Sequence, residues 1–188
     1  ELTAAVTKAE KAGGGIVYVK GSSISCTAQL ALKASNANVS IIGVKNSDGT
    51  YPVLDFSAFR SAYIGKATTD SEVGIRISGS NYTIKNLIIQ KAPDNGIQIK
   101  GSSAGNNTIE NCMVRYNNDA GVQITGGAYS NTMRFVYSYR NCDVYTLGGN
   151  ADGFAPKLGA GKGNVFYGCY SWENSDDGWG SYDKDSLT

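Results

Sequence analysis

Thr83-Ile84-Lys85-Asn86-Leu87 returns in kind as Thr108-Ile109-Glu110-Asn111-Cys112, then as Thr132-Met133-Arg134-Phe135-Val136 and Val165-Phe166-Tyr167-Gly168-Cys169. Within these copies apolar and polar sites alternate, the pattern of a strand with one face turned inward. Nine residues after Leu87, Cys112 and Cys169 come Gly96, Gly121 and Gly178. Gly96 and Gly121 are 25 residues apart, and so are Gly153 and Gly178. A period in the range of roughly 20–50 residues marks a solenoid whose repeats stack as coils. The fold class predicted is therefore all-β, a parallel β-helix forming one domain over residues 1–188.

Upstream, Leu2, Ala5, Val6 and Ala9 fall at helical spacing and end at Gly13-Gly14-Gly15, which predicts a short helix from Leu2 to Ala12. In a solenoid such a helix covers the apolar end of the stack. Ile16–Val19, Val39–Ile42, Val53–Phe56 and Ile75–Ser78 read as strands, and the polar stretch between Phe56 and Glu72 as a lateral loop. The gap from Val136 to Gly153 is 17 residues, so this coil carries eight extra residues near Asn141–Asn150. An insertion confined to one turn leaves a stack intact and projects from its face, where sites are usually built.

Two polar columns follow from the same register. Asn117, Asn141 and Asn174 share one position, where side chains can hydrogen-bond along the stack. Ahead of the glycines run Asp94, Asp119, Ala151 and Asp176, then Asn95, Ala120, Asp152 and Asp177. Turn chemistry accounts for Asp94 and Asp119, because Asp and Asn before Gly suit tight bends. Asp152, Asp176 and Asp177 are different. With one coil per repeat, Asp152 and Asp177 stack at about 4.8 Å, and three such carboxylates repel unless a cation or protons intervene. The spacing points to a shared Ca2+.

The totals exclude several classes. A formal charge of +1 offers no argument for nucleic acid or membrane binding, and no apolar run of 18 residues spans a bilayer. The chain has no His, which removes Ser-His-Asp and Cys-His mechanisms and makes a Cys/His zinc site unexpected. Proton transfer falls to Lys, Arg, Tyr or a carboxylate. Cys26, Cys112, Cys142 and Cys169 form no CxxC pair, and Cys112 and Cys169 occupy one repeat position two coils apart, as small buried apolar residues.

Asn150-Ala-Asp-Gly-Phe-Ala-Pro-Lys157, Gly163-Asn164-Val165-Phe166 and Ser171-Trp-Glu-Asn-Ser-Asp-Asp-Gly-Trp179 resemble the family-nine pectate lyases. The resemblance implies a secreted, right-handed parallel β-helix that cleaves polygalacturonate, an acidic polysaccharide, by β-elimination. It implies Ca2+ held by Asp152, Asp176 and Asp177. The family pattern continues with a further aspartate where this chain has Gly180, and Asp183 is the nearby substitute. The family's lysine base lies on a later coil. Within this chain the candidates near the motif are Lys157 and Lys184, with Lys157 also a candidate substrate contact; the alternative is a base past Thr188. Arg115, Arg134 and Arg140 precede the aspartates and are candidate partners for substrate carboxylates.

Two other readings stand beside the lyase. One is a non-catalytic β-helix module binding Ca2+ or acidic polysaccharide, favoured by Gly180 and by the missing downstream lysine. The other, a polygalacturonase-type hydrolase, shares the fold but depends on a His-containing motif that this sequence does not contain. From Tyr182 onward no cap is visible, so the expectation is the N-terminal part of a longer β-helix.

Overall fold

The computed structural model describes residues 1–184. Helix α1 (Leu2–Lys11) is followed by coils that each lay down short strands. The first coil gives β1 (Gly15–Val19), β2 (Ser23–Ser25) and β3 (Leu30–Leu32), the second β4 (Val39–Gly43), β5 (Val53–Asp55) and β6 (Ile75–Ile77). The third gives β7 (Tyr82–Lys85), β8 (Ile88–Gln90) and β9 (Ile97–Lys100). The fourth gives β10 (Thr108–Glu110), β11 (Met113–Arg115) and β12 (Val122–Thr125), the fifth β13 (Thr132–Arg134), β14 (Tyr137–Tyr139) and β15 (Phe154–Pro156). The sixth contributes β16 (Val165–Tyr167) and β17 (Tyr170–Trp172).

Equivalent strands pair in parallel and build three sheets of six, six and five strands. Thr108 pairs with Thr83 on one side and Thr132 on the other, and Thr132 pairs with Val165, which is the register of the sequence repeat. Inward-facing Ile84, Ile109 and Met133, with Ile89, Val114, Ile97, Ile99, Val122 and Ile124, are wholly buried. Strands of three residues bury little apolar area singly, so stacking supplies most of the stability.

Helix α1 closes one end. Val6 is buried and Leu2 and Ala9 pack against the core, while Tyr82 Oη donates to Glu10 Oε1 and accepts from the Ala34 N–H. The lateral loop carries a short helix α2 (Ser57–Arg60) and a 3-10 turn at Ser61–Tyr63, regular structure beyond the irregular stretch expected there. The sequence pattern reads out the sheet β1-β4-β7-β10-β13-β16, together with β5 and β6; β2, β3, β8, β9, β11, β12, β14, β15 and β17, which fill the rest of the other two sheets, have no counterpart in that reading.

The asparagine column forms as predicted. Asn117 Nδ2 donates to Asn141 Oδ1, and Asn141 Nδ2 to Asn174 Oδ1, both at 2.9 Å. A second ladder, Asn107–Asn131–Asn164, runs at another turn with amide bonds of 2.9 and 3.0 Å. The glycine column has a cause other than bend geometry. A Cβ on Gly121 would lie 1.9 Å from Ser138 Oγ and 2.8 Å from Asn141 Nδ2, and one on Gly153 would meet Ser171 Oγ and Asn174 Nδ2 at 1.9 and 2.8 Å. At Gly121 and Gly153 the serine hydroxyl of the neighbouring strand fills the space first and the asparagine ladder next, whereas at Gly178 nothing lies closer than 3.6 Å. All four cysteines are free; Cys112 is buried and Cys169 half-buried.

Candidate active site

The eight-residue insertion turns tightly beside the next coil. Asp143 starts it, accepting from the Tyr145 and Thr146 N–H groups and from Thr146 Oγ1. Ser175 Oγ donates to the Gly148 carbonyl, and Asp176 Oδ2 accepts from the Asn150 N–H at 2.9 Å. These bonds tie the fifth coil to the sixth. Asp152 then stacks beneath Asp177: Gly121 N–H donates to the Asp152 carbonyl, and Gly153 N–H to the Asp177 carbonyl, each at 2.9 Å. The bridge between Phe154 and Trp179 continues that register.

The predicted carboxylates converge. Asp152, Asp176 and Asp177 each place an oxygen within 4.8 Å of the others, with Asp152 buried and the other two exposed. Two oxygens on one Ca2+ at roughly 2.3–2.6 Å stand at most about 5 Å apart, so the group fits a single ion. Three carboxylates supply only part of a coordination number of about 6–8, and the open side leaves positions for a ligand's oxygens. Asp183 does not join this group. Its carbonyl accepts from the Gly159 N–H, and its backbone is left-handed, with φ of 54°.

The carboxylates line a cleft of about 500 Å³ with Asp119, Gln123, Asn150, Lys157, Gly180 and Tyr182 among its walls. Lys157 Nζ donates to Asp152 Oδ2 at 2.7 Å, and both side chains are buried. Burial pushes the Asp152 carboxyl above its usual range against the pull of that ammonium. Lys184 lies elsewhere, lining a separate cavity with Pro156, Phe166 and Trp179. Of the two candidate bases, then, one is ion-paired within the cluster and the other borders a different cavity.

Asp119, assigned to turn chemistry from the sequence, reaches this cleft as well. Burial, then the charge of Asp94 and more weakly that of Asp143, pushes its carboxyl up to about 7, although the Ala120 N–H and Lys157 pull the other way. Asp94 is held by Thr68 Oγ1 and the Asn95 N–H, and burial raises it too. No periodicity could have shown this, because Thr68 and Asp143 belong to the loop and the insertion. The arginines divide. Arg134 reaches Glu110 at 3.9 Å and Arg140 reaches Glu173 at 2.5 Å. Arg115 bonds to Gln90 Oε1 and Tyr139 Oη and has no carboxylate partner among the described residues.

Three parallel sheets of stacked coils, bearing clustered aspartates on one coil-to-coil turn, define a β-solenoid of the pectate-lyase type. The chain belongs to the family described as Pel9A-like, right handed beta helix region, which it matches over residues 1–188. Pectate lyase L of Paenibacillus polymyxa (strain SC2) is 36% identical over 191 residues, covering 97% of this chain and 40% of that protein. The crystal structure of pectate lyase Pel9A superposes with a TM-score of 0.73 at 27% identity, covering 90% of this chain and 42% of that one. A rhamnogalacturonan lyase shares the fold at a TM-score of 0.64 and 23% identity. The chain thus spans about two fifths of the length of the relatives it matches.

Proposed function

We propose that this chain carries the Ca2+ site of a pectate lyase that cleaves polygalacturonate by β-elimination. The observation that carries the reading is the convergence of Asp152, Asp176 and Asp177 within 4.8 Å on one turn. Family membership and similarity to proteins named pectate lyase support the substrate class. When bound, the ion would supply Lewis-acid stabilisation of charge developing on the uronate as its C5 proton leaves. Asp152 is the inner ligand, fixed by the coil register. Asp176 and Asp177 reach in from the next coil, Asp176 oriented by the Asn150 N–H. Gln123, Asn150 and Tyr182 offer hydrogen bonds to sugar hydroxyls from the cleft walls.

Incubation with polygalacturonate and Ca2+ tests the reading through the ultraviolet absorbance of unsaturated uronate ends. Product should form with Ca2+ and cease on chelation. Product that persists in chelator would contradict the metal's role.

A second reading, the non-catalytic module that binds Ca2+ or acidic polysaccharide, is favoured by one observation. Lys157 is tied to Asp152 and Lys184 lines another cavity, so neither stands free in the cleft as a base. Calcium-dependent retention on immobilised polygalacturonate without unsaturated product would select it.

A further inference from the structure

We infer that Lys157 is a built-in occupant of the aspartate cluster, an ammonium that competes with a divalent cation for Asp152, and that Gly180 makes this possible. The inference rests on reading the cluster as a cation site, as proposed above. Among the ion pairs of the described residues, Lys157–Asp152 is the one nearly sealed from solvent, with side chains 11% and 3% exposed. It involves the buried member of the three carboxylates, so the ammonium sits against the inner wall, where an incoming ion would seek its least hydrated ligand.

Gly180 explains why Asp152 can lean that way. A Cβ at this position would lie 2.4 Å from Asp152 Oδ2, 2.6 Å from Cγ and 2.7 Å from Oδ1. With a side chain at 180 something must shift, and the Asp152 carboxylate, the end of a side chain, is the group in its path; moving it loosens the contact to Lys157 Nζ. Residues 157 and 180 are coupled through one carboxylate. A divalent ion seated among Asp152, Asp176 and Asp177 must displace the ammonium or lie beside it. A like charge a few ångströms away, partly screened, weakens binding by about ten- to a hundredfold.

The test is a calorimetric titration of Ca2+ into the wild-type chain, Lys157→Met, Gly180→Ala and the double variant, with far-ultraviolet circular dichroism confirming each fold. Lys157→Met should bind about ten- to a hundredfold more tightly. Gly180→Ala should also bind more tightly with Lys157 present, and add little once residue 157 is Met, the mark of a shared mechanism. A folded Lys157→Met that binds like wild type or more weakly overturns the inference. Should that variant not fold, unchanged or weaker binding by Gly180→Ala overturns it instead. Equal gains from Gly180→Ala in both backgrounds overturn the role of Gly180. Absence of Ca2+ binding in every variant overturns the cation-site reading itself, a result distinct from a failed competition.

Discussion

Asp177 lies one coil above Asp152, its carbonyl accepting the Gly153 N–H at 2.9 Å, so two carboxylates 25 residues apart face one point. The backbone ladder, not side-chain adjustment, sets that juxtaposition. If this pair holds the ion during turnover, Asp177→Asn should lower the rate of unsaturated product formation by at least about a hundredfold, with partial recovery as Ca2+ is raised. Rates at a series of Ca2+ concentrations check this. An unchanged rate would remove Asp177 from the site.

The glycines beside the aspartates answer to packing. Gly121→Ala would drive a methyl group into Ser138 Oγ, Asn141 Nδ2 and the Gly153 carbonyl. The expected loss is about 2 kcal/mol or more in urea unfolding, with a downshifted midpoint and an unchanged slope. A loss below about 0.5 kcal/mol, the size of an ordinary surface substitution, would contradict the close approach.

Asn141 is the middle rung of its ladder. Its Oδ1 accepts both the N–H and the side-chain amide of Asn117, while its own N–H and Nδ2 donate to Asn174 Oδ1. Asn141→Ala strands several of these buried groups and should cost roughly 2–4 kcal/mol, measured by chemical denaturation. Asn117→Ala, at the lower end of the same ladder, should cost less.

Asp119 gives a pH dependence with a definite sign. Its carboxyl is raised from 3.8 to about 7 in the folded chain, so the folded state holds the proton more tightly than the unfolded state does. Stability contributed by this group is present below pH 3.8 and is lost as pH climbs toward about 7. Asp119→Asn removes that loss. Its stability relative to wild type should be near zero at the acid end and rise by about 2 kcal/mol by neutral pH, after allowance for partial exposure. Unfolding free energies across this range check the slope, and a flat difference would contradict it.

The repeat made the stacking register legible, because parallel coils carry their sequence period directly into space. From it came the sheet pairing of Thr83, Thr108, Thr132 and Val165, the Asn117–Asn141–Asn174 ladder and the meeting of Asp152 with Asp177. What it concealed lies off the repeat. Most strands of the other two sheets, β2 and β3 among them, fall between the repeated segments in short runs that the repeat does not single out. The Asp119 environment depends on Asp143 in the insertion and on Asp94, which the Thr68 loop contacts. The link from Gly180 to Asp152 and on to Lys157 is a matter of side-chain direction, to which spacing along the chain is blind. Asp183 illustrates the same limit: near in sequence to the other aspartates, it does not join their group.

The stoichiometry of metal binding tests the shared site most directly. Titration of Ca2+ into the wild-type chain, Asp152→Asn and Asp177→Asn should give one ion per chain for wild type, with affinity lowered by about a hundredfold in both variants. Binding that survives both substitutions unchanged would place the ion elsewhere and contradict the shared site.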